Sequence, residues 1–174
     1  LYQGEELGLP EADVPYEALQ DPYGKTFWPN FKGRDGCRTP MPWDDDVQAG
    51  FSHGQPWLPI PAAHRAINVA SQDADPSSVL NTVRGFLAWR RQQPALRSGS
   101  IRFLDAPEPV LAFVRETDGQ RVLVVFNLSA KLVQWPLPEG IVAAPLDGHG
   151  LTCAASDGRT VSLPPRGVHF ASVD

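Results

Sequence analysis

The sequence predicts two kinds of structure in succession, an α/β part over residues 1–99 and an all-β part over residues 100–174. Three observations support this division. Residues 8–61 follow no regular hydrophobic period, apolar side chains then recur at helical spacing from Val79 to Leu87, and from Ser100 onward the period changes to two. The predicted fold class is therefore α/β plus all-β, ending in a small antiparallel β-sandwich.

The first part contains a long segment without regular periodicity. Residues 1–6 have the pattern of a strand end that enters a loop, and residues 8–61 hold half of the eighteen prolines and half of the aromatic residues. Disordered segments are poor in aromatic residues, and long ordered loops tend to carry function. We therefore expect an ordered working loop, with a short helical turn at Tyr16–Leu19.

The clearest predicted element is the helix that follows this loop. Asp75 is a good N-cap residue, and Pro76 suits the first helical position. Pro94 is expected to end the helix, because proline removes a helical hydrogen bond and clashes with the preceding turn. Residues 95–99 are then predicted to form a turn.

The second part is predicted to contain seven short strands. Turn signals such as Asp118-Gly119 and Asp157-Gly158 separate them. Pro145, Pro164 and Pro165 suit strand edges or ends, because proline cannot donate to a strand ladder. The predicted strands are Ile101–Asp105, Val110–Glu116, Arg121–Leu128, Leu132–Leu137, Ile141–Leu146, Thr160–Leu163 and Val168–Val173.

One strand and one helix cannot bury both of their faces, so residues 1–99 are expected to belong to a larger parallel α/β structure. A (β/α)₈ barrel is the leading candidate, because long functional loops there follow the C-terminal ends of the strands. The helix would otherwise expose its apolar face. For the isolated segment we therefore expect docking on the β part or self-association.

Composition excludes several classes of function. The net charge is −5 and no basic cluster is present, which argues against a nucleic-acid partner. No apolar stretch approaches the roughly 20 residues of a membrane span. The two cysteines, Cys37 and Cys153, have no ligand-like spacing and suit reduced thiols. The expected location is cytoplasmic, although the sequence begins at Leu1 without a methionine.

Residues 1–8, LYQGEELG, and above all residues 33–43, GRDGCRTPMPW, carry a family resemblance. The second segment resembles the RDxxRTPMxW signature of the α-glucosidase and oligo-1,6-glucosidase branch of the α-amylase superfamily (glycoside hydrolase family 13). Residues 21–29 and residues 67–78 are similar to flanking segments of that branch. The resemblance covers residues 1 to about 100 in detail and the β part only by position and architecture.

The resemblance implies a retaining enzyme that removes terminal α-linked glucose from small oligosaccharides and needs no cofactor. It identifies residues 1–99 with the last strand, loop and helix of the barrel. In this family an aspartate nucleophile, a glutamate acid/base and a second aspartate act at the ends of earlier strands. None of these three motifs occurs in the sequence, so the segment alone is expected to be inactive and to contain no catalytic residue.

The acidic and histidine residues of the sequence offer no substitute. Retaining hydrolysis needs two carboxyl groups about 5–5.5 Å apart, and adjacent strand residues such as Glu5 and Glu6 point to opposite faces. We expect one of them to pair with an arginine and the other to cap a loop. Residues 44–46, three consecutive aspartates, lack the alternating pattern of a calcium loop and suit a solvated loop. The four histidines have no partner at metal or nucleophile spacing.

Arg34 and Arg38 are the predicted substrate-binding residues. A guanidinium group can hold a carboxylate and also donate to a sugar hydroxyl. By resemblance, an arginine of this signature lies near the terminal 4-hydroxyl, and we favour Arg34 for that contact. Arg38 is expected to pair with Asp35 or Glu6, and a purely structural ion pair stays an equal alternative for both arginines.

Trp28, Trp43 and Trp57 suit either sugar stacking or packing in the loop core, and we expect the second. Two functions stay open at this stage. The first is the C-terminal part of an α-glucosidase, and the second is a non-enzymatic β-sandwich module that binds sugar or packs on a neighbour. The preference for α-1,4 or α-1,6 links, and for hydrolysis or transfer, is left undecided.

Overall fold

The computed structural model describes residues 1–174, which form two compact units, Leu1–Val83 and Arg84–Asp174. None of the helices has the length and apolar character that crossing a bilayer requires. Short 3₁₀ helices lie at Glu5–Leu7, Tyr16–Ala18 and Asp35–Cys37, and the second confirms the predicted helical turn. The α-helices are α1 (Pro22–Thr26), α2 (Ala62–Ala66), α3 (Val69–Asp73), α4 (Val79–Arg91) and α5 (Pro94–Ser98).

The first residues of the chain form a turn and a 3₁₀ helix, so the predicted strand end at residues 1–6 is wrong. Gly4 and Gly8 bracket the helix with φ angles of 94° and 67°, in the left-handed region that glycine tolerates. These two residues turn the chain at both ends of Glu5–Leu7. An extended run is therefore excluded.

Helix α4 begins at Val79, three residues later than the predicted first position. The Asp75 carboxylate accepts hydrogen bonds from the N–H and the hydroxyl of Ser77, so it closes a turn. Ser78 takes the capping role instead, because its Oγ accepts the N–H of Asn81 at 3.2 Å. Pro94 begins α5, where a turn was predicted.

Two buried polar side chains connect distant parts of the first unit. Gln72 donates from Nε2 to the carbonyl of Leu7 at 2.9 Å and accepts the Leu80 N–H on Oε1 at 2.9 Å. His64 donates from Nε2 to the Pro10 carbonyl at 2.8 Å, and its Nδ1 lies 3.2 Å from the Thr39 hydroxyl. Small apolar clusters around Leu7, Met41 and Leu80 and around Val14, Leu19 and Leu58 complete the packing.

The second unit contains two antiparallel sheets, one ordered β1-β2-β3-β8-β5 and the other β4-β7-β6. All seven predicted strands are present, Thr160–Leu163 and Val168–Val173 with the predicted bounds and the other five with shifted ends, and β6 was not predicted. Pro145 lies on the edge strand β5, and Pro164 and Pro165 follow β7. The strands are β1 (Ser100–Phe103), β2 (Val110–Thr117), β3 (Gln120–Asn127), β4 (Val133–Pro136), β5 (Ala143–Pro145), β6 (Ala155–Ser156), β7 (Thr160–Leu163) and β8 (Val168–Val173).

The two sheets share one apolar core, which makes this unit the predicted sandwich. Alternate residues of β2 and β3, such as Val114 and Val125, meet Trp135 of β4 and Val161 of β7 in that core. The opposite face of β3 and β8 packs against Trp89 and neighbouring residues of α4 and α5. The central strand β3 is therefore covered on both faces.

A buried histidine pair lies in the second unit. Burial lowers the pKa of His149 below its ordinary value of 6.5, and the nearby Asp147 carboxylate only partly opposes this. Burial also lowers the pKa of His169, and the neighbouring His149 adds to the effect. His149 packs edge-on against Trp89 and Phe170, at ring distances of 5.4 and 4.9 Å. Burial therefore favours the neutral form of both rings.

We predict that the β-sandwich loses stability as the pH falls below about 6.5. The unfolded chain binds protons at its histidines near that pH, whereas folded His149 and His169 resist protonation. The unfolded state thus gains protons, and the free energy of unfolding declines until the folded pKa values are reached. His149→Gln should reduce the slope of unfolding free energy against pH, measured by urea unfolding. His53→Gln, at an exposed site, is the control, and an equal slope in the two variants contradicts the prediction.

Gly24 permits a close approach of two loop segments in the first unit. It is buried in α1, and a Cβ atom built there would lie 2.5 Å from the carbonyl oxygen of Lys32. We predict that Gly24→Ala destabilises the chain by about 1–3 kcal/mol, because a main-chain atom must move. Gly85→Ala is the matched control, since no atom lies within 4 Å of its added Cβ and alanine favours a helix. Urea unfolding that gives equal midpoint shifts for both variants would refute the steric explanation.

Candidate functional site

The two predicted arginines lie in one cleft of the first unit. Its volume is about 510 Å³, and it is lined by Asp21, Pro22, Tyr23, Phe31, Arg34 and Arg38. Arg34 precedes the 3₁₀ helix Asp35–Cys37 and Arg38 follows it, so this single turn brings both side chains to the same surface. The cleft combines two cationic groups, one carboxylate and two aromatic rings.

Asp21 is the only carboxylate that lines the cleft, and both of its oxygens are occupied. Oδ1 accepts the N–H of Tyr23 at 2.9 Å, and Oδ2 accepts the N–H of Arg34 at 2.9 Å. The Arg34 N–H, above all, lowers the pKa of Asp21, with further contributions from the N–H groups of Tyr23 and Gly24 and from the Arg38 charge. A general acid of a glycosidase needs a raised pKa, so Asp21 is unsuited to that role.

Arg34 and Arg38 differ in their partners. Nη1 of Arg38 lies 3.8 Å from Oδ2 of Asp21, so the predicted pairing of Arg38 with Asp35 or Glu6 is wrong. Asp35 is instead occupied by main-chain donors, because its Oδ2 accepts the N–H groups of Gln20 and Asp21 at 2.6 and 2.8 Å. The Arg34 guanidinium has no ion-pair partner in the chain and lies open at the cleft.

The other acidic residues are occupied within loops. Oε2 of Glu5 accepts the N–H of Tyr2, and Oε2 of Glu6 accepts the N–H of Gly4, each at 3.0 Å. Both therefore bind the loop main chain, and the arginine pair predicted for one of them is not formed. Asp44 similarly accepts the N–H of Asp46 at 3.0 Å. No group of three or more His, Cys, Asp or Glu side chains is arranged to hold a metal ion.

The three tryptophans of the first unit lie outside the cleft. Trp28 contacts Tyr16 at a ring distance of 5.7 Å, with the Lys32 ammonium group 5.3 Å from its ring, but it is 36% exposed and therefore packs at the loop surface, not in a loop core. Trp43 and Trp57 are 50% and 64% exposed, which contradicts the predicted packing in the loop core. Tyr23 and Phe31, which sequence reasoning did not select, are the aromatic residues of the cleft.

Asp21 is the main residue that sequence reasoning missed. An Asp-Pro pair often starts a helix, and Asp21 does cap α1 through Tyr23, with Pro22 at the first helical position. That local signal predicts the cap. It gives no indication of the contacts with Arg34 and Arg38, because these residues are 13 and 17 positions away in the chain.

Family models match nearly the whole chain. Residues 1–99 match the alpha amylase catalytic domain, and residues 101–169 match the maltogenic amylase C-terminal domain. The predicted fold class is thereby confirmed, with a catalytic-domain segment followed by the sandwich.

Curated relatives are similar over most of this chain. A probable alpha-glucosidase of Rhizobium meliloti is 47% identical over 171 residues, which is 98% of this chain and 31% of the relative. Probable oligo-1,6-glucosidase 2 of Bacillus subtilis is 35% identical over 78% of this chain and 28% of its own length. The chain thus spans less than a third of the curated relatives it matches.

Solved structures show the same relationship. The alpha-glucosyl transfer enzyme XgtA is 56% identical with a TM-score of 0.95, over 100% of this chain and 32% of that one. MutB, solved as a mutant with its substrate sucrose, is 29% identical with a TM-score of 0.85, over 100% of this chain and 35% of that one. With the catalytic-domain model matching more than half of the residues, the chain belongs to the α-amylase family.

Proposed function

We propose that these residues are the C-terminal part of a retaining α-glucosidase that removes terminal glucose from small oligosaccharides. Residues 1–99 form the end of its catalytic barrel, and residues 100–174 form its C-terminal sandwich. The matches to a catalytic-domain model and to glucosidases of two bacteria support this assignment. Acid/base and covalent carboxylate chemistry requires no cofactor. The two free thiols support a cytoplasmic location.

The observation that carries the proposal is the difference between the two arginines in the cleft. Arg38 is next to the Asp21 carboxylate, whereas the Arg34 guanidinium is exposed at the cleft and has no ion-pair partner among the residues of this chain. Sugar hydroxyls accept charge-assisted hydrogen bonds. We therefore assign Arg34 to the terminal glucosyl unit, near its 4-hydroxyl, and Arg38 to the stability of the site.

Glucosyl transfer is a second candidate reaction. XgtA, which is 56% identical to this chain, is named as an alpha-glucosyl transfer enzyme. Hydrolysis and transfer share a glucosyl-enzyme intermediate and differ in whether water or another hydroxyl group accepts the glucose. A non-enzymatic sugar-binding module is less well supported, because residues 1–99 match a catalytic domain. A cellular product close to the 19.0 kDa of this chain would favour the module.

We predict that Arg34→Ala in the full-length enzyme lowers kcat/KM for maltose. The expected loss of transition-state stabilisation is about 1.5–3 kcal/mol, the usual size of a hydrogen bond to a charged group. Arg38→Ala is the matched control in the same cleft and should have the smaller effect on kcat/KM, since its charge is directed at Asp21. Steady-state kinetics on folded variants provide the measurement. An Arg34→Ala enzyme with wild-type kcat/KM would contradict the assignment.

We predict that the 174-residue chain alone does not hydrolyse 4-nitrophenyl α-glucoside. The cleft contains one carboxylate, whereas the retaining mechanism requires two. The assay should compare this chain with the full-length enzyme at equal concentration. Turnover by the purified chain that disappears in an Asp21→Asn variant would show that a catalytic carboxylate is present after all.

A further inference from the structure

Two buried carboxylates, those of Asp35 and Asp21, hold the loop that carries the two arginines. Asp35 is 1% exposed, and its Oδ2 fixes the main chain at Gln20 and Asp21 through two N–H groups. Because those contacts are short, at 2.6 and 2.8 Å, the position of Asp21 depends on Asp35. Asp35 lies in the signature that contains both arginines, and its contacts connect that signature with a segment about 14 residues earlier in the chain.

The second carboxylate, that of Asp21, contacts both arginines. Asp21 is 8% exposed, its Oδ2 accepts the main-chain N–H of Arg34 at 2.9 Å, and the same oxygen is 3.8 Å from Nη1 of Arg38. The main chain of Arg34 and the side chain of Arg38 therefore both contact this one oxygen atom. Displacement of that oxygen would shift both groups.

Gly33 provides an independent sign that the chain is built around this contact. Its φ angle is +76°, which disfavours any residue with a side chain. A Cβ atom at this position would lie 2.9 Å from both Cβ and Cγ of Asp21. Only glycine therefore lets the residue before Arg34 approach the Asp21 carboxylate so closely.

We propose that Asp21 is the positioning residue for substrate binding at this site, because its carboxylate holds the Arg34 main chain so that the Arg34 guanidinium reaches the terminal sugar. The inference rests on the proposed function, in which Arg34 donates to the 4-hydroxyl of the terminal glucose. Asp21 touches neither the sugar nor the reacting atoms in this account. It acts through Arg34.

Substitution of Asp21 by asparagine removes one acceptor oxygen while it preserves the size of the side chain. The amide retains a single oxygen for the N–H groups of Tyr23 and Arg34, and its NH₂ group opposes one of them donor to donor. The negative charge beside Arg38 is also lost. The Arg34 main chain is then no longer fixed, although Arg34 itself is unchanged.

The experiment compares two substrates in the full-length enzyme, 4-nitrophenyl α-glucoside and its 4-deoxy analogue, which lacks the hydroxyl assigned to Arg34. We divide kcat/KM for the glucoside by kcat/KM for the 4-deoxy analogue. This ratio isolates the contact with the 4-hydroxyl, because general damage to the enzyme lowers both values equally. We expect Asp21→Asn to lower the ratio roughly tenfold, and Arg34→Ala at least as much. The double variant should lower it no further than Arg34→Ala alone, because both changes remove one interaction.

Asp75→Asn is the matched control. Asp75 also closes a turn by accepting an N–H two residues ahead, and it lies outside the cleft, so its ratio should equal that of the wild type. If Asp21→Asn does not fold, Gly33→Ala replaces it, because the added Cβ displaces the same carboxylate. Failure of both variants to fold would overturn the proposal by making the contact one of folding.

The outcomes also separate this inference from the proposed function. A wild-type enzyme that cleaves neither substrate, or an Arg34→Ala enzyme with an unchanged ratio, would refute the proposed function or the role of Arg34 in it. A reduced ratio in Arg34→Ala with a wild-type ratio in folded Asp21→Asn would refute only the positioning role of Asp21.

Discussion

The first unit, residues 1–83, contains no sheet, so its buried main-chain groups must find hydrogen-bond partners in another way. The packing of the unit depends on these partners. An unpaired buried N–H or C=O group costs about as much as a lost hydrogen bond. Polar side chains supply the partners here. Gln72 donates to the carbonyl of Leu7 and accepts the N–H of Leu80, at opposite ends of the unit. His64 donates to the carbonyl of Pro10. Asp35 accepts the N–H groups of residues 20–21. The fold of the first unit therefore depends on buried polar side chains as well as on its small apolar clusters.

The second unit satisfies the same requirement in the opposite way. Its strand ladders pair the main chain, so its side chains are free to form a continuous apolar core between two sheets. The exception is the pair His149 and His169, both buried with pKa values lowered by desolvation, of which His149 packs against Trp89 and Phe170. An apolar setting of this kind favours the neutral imidazole. The sandwich thus contains groups whose protonation opposes folding, whereas Asp21 of the first unit, whose pKa is lowered above all by the Arg34 N–H, supports its loop when ionised.

The difference between the two units explains what the sequence could predict. Strands such as Thr160–Leu163 and Val168–Val173 matched the prediction, because alternation and turn residues are local signals. The start of α4 was misplaced because Ser78 and Asp75 are both good N-caps, and the choice depends on Gln72, whose Oε1 accepts the Leu80 N–H. Both arginines of the cleft were selected from the signature. Their different environments were not, since Asp21 lies outside that signature and meets them only in the folded chain.

The two arginines of the signature have different contacts with the one carboxylate of the cleft. A cleft without a carboxylate would leave two like charges without compensation at one short turn. Asp21 resolves this by lying next to Arg38 while it contacts only the main chain of Arg34. The result is one compensated cation and one free donor. The same carboxylate is thereby committed to binding N–H groups, which lower its pKa and make it unsuited to act as a general acid.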